Sequence, residues 1–290
     1  MLFRKPVQVD VSSLHQKLDT LHQQLSQLNQ LEAENHRLRI DTYLQQYLFS
    51  NPKYKSARRL NRFEFQVFSQ YGEDGILAEI FNRIGTTNCS FIEFGVENGT
   101  ECNTTYLLLK GWKGLWIEGN SNHVDAIGRS FRKSIGEKIL TVLHSFVTAE
   151  NIETLFEQGN ALIEPDLLSI DIDRNDYHVW NAIHNYKPRV VVIEYNATFR
   201  PGDRFIVPYD AAASWDGSSH FGASLQSYYE LGLEKEYKLV ACTHAGVNAF
   251  FVREDLVKDH FEQPFTPDNH YEPARYFLYK KEGHHRKVEF

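Results

Sequence analysis

Acidic side chains close one apolar run after another in this chain. The runs are Ser90-Phe91-Ile92-Glu93-Phe94, Gly114-Leu115-Trp116-Ile117-Glu118, Leu167-Leu168-Ser169-Ile170-Asp171-Ile172-Asp173 and Arg189-Val190-Val191-Val192-Ile193-Glu194-Tyr195-Asn196. Near-continuous apolar runs of this length are those of a parallel sheet covered on both faces. In open α/β sheets the ligand lies beyond the carboxyl ends of the strands. Carboxylates in that place can accept ribose hydroxyls, attract a cationic ligand or hold a metal ion. One such acid is as readily a solvated surface group; four in corresponding places are hard to assign to chance.

The first run leads into Gly95-Val96-Glu97-Asn98-Gly99-Thr100. Glycine at a turn allows close backbone approach, and a helix-like segment follows whose free N–H groups can meet an anionic part of a ligand. The spacing is Gly-x-x-x-Gly, not the Gly-x-Gly-x-x-Gly of a dinucleotide fold. Glu97 occupies the position where a pyrophosphate needs glycine, and its carboxylate would repel one. S-adenosylmethionine carries a sulfonium and an ammonium, so acids beside the turn suit it. Glu118 can then accept both ribose hydroxyls of an adenosine ligand. An NAD-dependent oxidoreductase on a similar sheet is the alternative, and a non-enzymatic assembly subunit is another.

The elements that must position these groups follow from periodicity. Helical spacing covers 74–84, 103–110, 124–134, 149–158, 177–185 and 223–231, and strands cover 91–94, 114–118, 139–147, 167–173 and 189–196. This alternation implies right-handed βαβ units. Residues 197–220, with Pro201, Gly202, Pro208 and Gly217, interrupt it as a lid or binding loop inserted before two closing strands at 238–241 and 249–253. Residues 11–48 differ from the rest, being rich in Leu, Gln, Glu and His. Leu14, Leu18, Leu21, Leu25 and Leu28 alternate at 4-3 spacing, and the step from Leu28 to Leu31 breaks the heptad before Asn35 and Leu38. A coiled coil in which Asn35 fixes register is one reading; an amphipathic helix folding back on the rest is the other. The expected organisation is therefore 1–50 as an oligomerisation helix, 51–65 as a linker or docking segment, and 66–290 as one α/β domain.

With 290 residues, 42% of them hydrophobic, the chain can bury a core of that size. A formal net charge of −7 argues against a nucleic-acid partner. Three scattered cysteines, Cys89, Cys102 and Cys242, suit a reducing compartment. No apolar run reaches membrane-spanning length, and Met1-Leu2-Phe3-Arg4-Lys5-Pro6 does not read as a secretory signal. A cytoplasmic location is expected, or one peripheral to the inner membrane with a glycan-assembly complex.

Glu93-Phe94-Gly95-Val96-Glu97-Asn98-Gly99 resembles motif I of class I S-adenosylmethionine-dependent methyltransferases, and Trp116-Ile117-Glu118 resembles their second motif. Ser69-Gln70-Tyr71-Gly72-Glu73-Asp74-Gly75, Ser169-Ile170-Asp171-Ile172-Asp173-Arg174-Asn175-Asp176-Tyr177 and Val192-Ile193-Glu194-Tyr195-Asn196 are similar to segments of the FkbM-like methyltransferases, many of which act on sugars. The resemblance spans roughly residues 66–253 and leaves out the leucine-rich segment. It implies a doubly wound, Rossmann-like methyltransferase sheet, mostly parallel with an antiparallel last strand. It implies O-methyl transfer to a sugar or glycan hydroxyl, and cofactor contacts at Gln70, Tyr71, Gly72, Asp74, Glu93, Gly95, Glu97, Gly99, Thr100, Glu118, Gly119, Asn120, Ser145 and Asp171. The leucine-rich helix would serve self-association, or docking onto a glycosyltransferase partner.

Asp171, Asp173, Glu194 and Asn196 also resemble the cation site of metal-dependent O-methyltransferases, and oxygen donors of this type suit Mg²⁺, Mn²⁺ or Ca²⁺. Alternatively, Asp173 or Asp176 caps the following helix. His220 and His178 are the expected general bases, with Asp173 a third catalytic candidate; a structural role is the other reading of each histidine.

Overall fold

The computed structural model describes residues 11–278, which fall into two compact units meeting in sequence at Leu48 and Phe49. The start of the chain and residues 279–290 lie outside the described residues.

The first unit is one helix, α1 (Val11–Tyr43), closed by a π-helical turn over Leu44–Leu48. The leucine stripe read from the sequence lies along it and is open: Leu14, Leu18, Leu21, Leu25, Leu28, Leu31 and Leu38 are each 50–65% exposed.

The second unit is built on a seven-stranded sheet: β1 (Ser90–Phe94), β2 (Lys113–Glu118), β3 (Leu140–His144), β4 (Leu167–Ile170), β5 (Val190–Glu194), β6 (Tyr237–Cys242) and β7 (Asn248–Arg253). The order is β3-β2-β1-β4-β5-β7-β6. Pairing is parallel from β3 to β5, and β7 runs antiparallel to both of its neighbours. The expected doubly wound, mostly parallel sheet with an antiparallel last strand is therefore present. α2 (Glu73–Ile84) precedes β1, and between the strands run α3 (Thr105–Leu109), α4 (Ser121–Ser130), α5 (Arg132–Gly136), α6 (Ile152–Gln158), α7 (Asp176–Ala182) and α8 (Leu225–Glu234).

Alternation along the strands sends successive side chains to opposite faces. Ile92, Phe94, Leu115, Ile117, Leu168, Ile170, Val191 and Ile193 pack into one core. Phe91, Trp116, Leu167, Val190, Val192, Phe250 and Val252 pack into another. Both faces are thus apolar, which is why these strands read as continuous runs rather than alternating ones.

Residues 51–65 fold within the second unit. Tyr54, Leu60 and Asn61 are buried, and Lys53 and Tyr54 both bond the carboxylate of Glu272, 2.7 and 2.8–2.9 Å away. Among the described residues no helix is long and apolar enough to cross a membrane.

Candidate active site

The parallel register fixes which strand-end groups meet. Phe94 pairs with Ile117 and Ile170, and Ile170 pairs with Ile193. One residue further along come Gly95, Glu118, Asp171 and Glu194, with Asn248 paired to Glu194 across the antiparallel edge. A single row at the carboxyl edge thus reads Glu118, Gly95, Asp171, Glu194, Asn248. Glycine sits between Glu118 and Asp171 because nothing larger fits: Gly95 has φ +76°, and an added Cβ would lie 1.5 Å from the Asp171 carbonyl oxygen. Close approach at this turn is therefore between two strands of the protein itself.

Glu93 belongs two rows earlier, beside Ser169. It is 4% exposed, and its carboxylate accepts from the N–H groups of Asn103 and Thr104 and from the hydroxyls of Thr104 and Ser169. The helix-like segment of the sequence reading is the short α3, and Glu93 takes the N–H groups at its start. Those N–H groups belong to Asn103 and to Thr104, the residue that precedes the helix. Burial pushes the Glu93 carboxyl up, with these hydrogen bonds opposing the shift.

Glu118 ends β2 at 7% exposure and fastens the turn: its Oε2 accepts from Glu97 N (2.8 Å) and its Oε1 from Asn120 N (2.7 Å). Each carboxylate oxygen still has a lone pair for a ligand hydroxyl. Glu97 adopts φ +48°, which presents its N–H to Glu118 while its side chain stays exposed.

These groups line one cavity of about 970 Å³, near the upper end of the roughly 300–1,000 Å³ of small-molecule sites. Of the residues expected to contact a cofactor, Gln70, Tyr71, Glu93, Gly95, Glu97, Glu118, Gly119, Asn120, Ser145 and Asp171 line it. Gly72, Asp74, Gly99 and Thr100 do not. Asp74 Oδ2 gathers the N–H groups of Val67, Phe68 and Ser69 at 2.7–3.0 Å, and Glu73 accepts from Tyr71 N, Gly72 N and Asn248 Nδ2. These two acids hold the loop that presents Gln70 and Tyr71. Gly99 faces the rings of Trp116 and Phe131, which a Cβ would strike at 2.7–2.8 Å. Thr100 bonds Asn98.

Carboxylate oxygens of Asp171, Asp173 and Glu194 lie within 4.8 Å of one another. The carboxyls of Asp171 and Glu194 are held well above the usual carboxylate range by burial. For Asp171 the charge of Glu194 adds to this, and for Glu194 those of Asp176 and Asp173. Asn196, expected beside them, faces elsewhere: its Nδ2 donates to the carbonyls of Ser219 and Phe221 and its Oδ1 accepts from Thr198 N. Asp176 rather than Asp173 turns back on the loop, accepting from Ile172 N at 2.9 Å.

His178 and His220 lie outside the cavity lining. A ring nitrogen of His178 bonds the Val207 carbonyl at 2.7 Å, tying α7 to the insertion. His220 is exposed with its ring against Phe205. Of the three catalytic candidates only Asp173 lines the cavity. Sequence reasoning passed over Phe146, Trp215 and Tyr276, which also line it. The signal was an aromatic in a segment where the apolar rhythm stops, and only the fold brings the three segments together.

No protein-family model matches the chain, and no curated protein matches it either. Among solved structures, similarity is found to the O-methyltransferase from Bacillus cereus in complex with S-adenosylhomocysteine, at 14% identity and a TM-score of 0.43, over 76% of this chain and 97% of that one. The methyltransferase domain of bacterial CtHen1-C gives 10% identity and 0.39, over 63% and 97%. The glycopeptide N-methyltransferase MtfA with sinefungin gives 13% and 0.37, over 62% and 86%. These neighbours are methyltransferases of both O- and N-transfer types.

Proposed function

We propose that the chain is an S-adenosylmethionine-dependent O-methyltransferase of the FkbM-like kind, acting on a hydroxyl of a sugar or glycan. The observation that carries this reading is the charge of the cavity. Seven carboxyl groups line it (Glu93, Glu97, Glu101, Glu118, Asp171, Asp173 and Glu194), with no lysine or arginine among the described lining residues. A sulfonium and an ammonium are attracted there, whereas a pyrophosphate is repelled. That repulsion counts against the oxidoreductase alternative.

Glu118 receives the ribose hydroxyls, and the backbone of Gly95 and Glu97 lies along the methionine portion. In the transfer, an acceptor oxygen forms a bond to the methyl carbon as the carbon–sulfur bond breaks, and the electron pair returns to sulfur to leave S-adenosylhomocysteine. The site contributes chiefly by aligning the two reactants. The acceptor proton goes to Asp173, whose carboxyl burial raises and so makes a better base. The oxygen donors of Asp171, Asp173 and Glu194 fit a divalent cation such as Mg²⁺ or Mn²⁺, which when bound would lower the pKa of a coordinated hydroxyl. Calorimetric binding of Mn²⁺, lost in Asp171→Ala, tests that part.

Calorimetry with S-adenosylhomocysteine tests the whole: no binding to the purified protein ends the proposal, and tighter binding of NAD redirects it. Glu118→Ala is expected to weaken S-adenosylhomocysteine roughly a hundredfold, about 3 kcal/mol for two charge-assisted hydrogen bonds. The open leucine stripe of α1 supports self-association through that helix, since seven half-exposed leucines in water favour burial against a like surface. Light scattering should give more than one copy per particle for the full chain and a single copy for a chain truncated before residue 50; the same number of copies in both means the helix has another role.

A further inference from the structure

The cavity has two halves with different builders. The ends of β1, β2 and β3 supply Glu97, Glu118, Ser145 and Phe146. The ends of β4, β5 and β7, the 197–220 insertion and the segment after Pro267–His270 supply Asp173, Glu194, Asn248, Trp215 and Tyr276. Only the first half has the Glu118 and Gly95 geometry suited to the adenosyl ligand, so the second is left for the acceptor.

Two large rings stand open in that second half. Trp215 is 47% exposed and Tyr276 is 49% exposed, although both belong to a cavity wall. Trp215 is held rather than loose: its indole N–H donates to the Ser218 carbonyl at 2.6 Å, and its ring meets Phe221 edge-on, with centroids 6.0 Å apart. Tyr276 lies close enough to Glu194 for that charge to add to burial in raising its phenol. Beside the rings are acceptors: the carboxylates, and Asn248 Oδ1, which is buried without a hydrogen-bond partner while its Nδ2 holds Glu73. Flat apolar rings next to hydrogen-bond acceptors match a sugar, which has C–H groups on its faces and hydroxyl donors around its edge.

The charge of the cavity narrows the acceptor further. A phosphate or carboxylate on the sugar would enter among seven carboxyl groups with no lysine or arginine among the described lining residues to receive it.

We propose that the acceptor is an uncharged sugar ring seated against Trp215 and Tyr276, and that the site refuses sugars bearing phosphate or carboxylate. This rests on the transferase reading for the role of the first half. Trp112, Trp116 and Trp180 are buried, at 0–6% exposure, so quenching of indole fluorescence by an added sugar reports on Trp215. The probes are the methyl glycosides of glucose, galactose, mannose and rhamnose, the uronates of glucose and galactose, and the 6-phosphates of the hexoses, each with and without S-adenosylhomocysteine. At least one neutral glycoside should quench saturably, with its charged counterpart at least about tenfold weaker. In Trp215→Ala, calorimetry should show that glycoside bound about tenfold more weakly with S-adenosylhomocysteine affinity unchanged. A charged sugar binding as tightly as its neutral partner overturns the proposal, as does the absence of quenching by every neutral probe. Failure of S-adenosylhomocysteine to bind while a glycoside still quenches would overturn the transferase reading and leave the sugar site standing.

Discussion

Asp166→Ala should lower the folding stability of the second unit by about 3–5 kcal/mol, the cost of removing one partner of a buried ion pair. Asp166 is wholly buried just before β4, and its carboxylate is 2.6 Å from Nη1 of Arg189, itself 4% exposed. The same carboxylate accepts from the N–H groups of Thr87, Asn88 and Cys89 at 2.7–3.0 Å and from the Thr87 hydroxyl. Arg189 continues the clamp to the carbonyls of Ile84 and Gly85 at the end of α2. One carboxylate therefore joins α2, the entry to β1, and the starts of β4 and β5. Alanine leaves a buried guanidinium without its counter-charge and three N–H groups without their acceptor. Since domains are stable by about 5–15 kcal/mol in all, the urea midpoint should fall by a large fraction with little change in slope.

The same group sets an acid limit. Burial alone would raise the Asp166 carboxyl, but the Arg189 guanidinium and the N–H groups outweigh it and hold it below the usual carboxylate range. A carboxylate with a depressed folded-state pKa stabilises the fold above its unfolded value, about 4, and that contribution disappears as pH falls through the folded value. The gap in urea midpoint between the natural protein and Asp166→Ala should thus be constant from neutral pH to about 5 and narrow below about 4. A gap that stays constant throughout would mean that the ion pair is not what the mutation removes. Because the clamp lies at the amino edge of the sheet, S-adenosylhomocysteine affinity of the folded variant should be unchanged.

What the sequence conveyed about this molecule depended on how local the information was. Val190-Val191-Val192-Ile193 and Leu167-Leu168-Ser169-Ile170 carry their strand character in β-branched and apolar side chains, so the parallel sheet was legible. So was the coincidence of Glu118, Asp171 and Glu194, because strand-end acids in a parallel sheet fall at one edge whatever the exact register. Glu93 sits two rows off that edge, and nothing short of the register with Ser169 shows it. Its hydrogen bonds needed the return of Asn103 and Thr104 to the same strand. Asn196 and Glu194 share a face by alternation, but Asn196 lies past the strand, where the insertion offers it the carbonyls of Ser219 and Phe221. His178 and His220 were singled out for their chemistry, yet the insertion places one against Val207 and the other in solvent. The Asp166–Arg189 pair, which spans two strands, left no local trace at all.

Gly95→Ala is expected to abolish detectable S-adenosylhomocysteine binding. Two effects add at this position. The left-handed backbone, φ +76°, costs a residue with a Cβ about 1–2 kcal/mol. The Cβ itself would lie 1.5 Å from the Asp171 carbonyl oxygen and 2.7 Å from its carbon. That oxygen is main chain, so no rotamer change relieves the overlap; β1 and β4 have to part at their carboxyl ends. Parting them breaks the row in which Glu118, Asp171 and Glu194 stand together and pulls Glu97 N from Glu118. Gly111→Ala is the matched control: φ there is +85°, but no atom lies within 4 Å of an added Cβ. It should show the conformational cost alone, about 1–2 kcal/mol in urea unfolding, with binding intact. If the two variants lose stability equally and both still bind S-adenosylhomocysteine, then the junction of β1 and β4 yields without disturbing the acids, and the cavity does not depend on the close strand contact at Gly95.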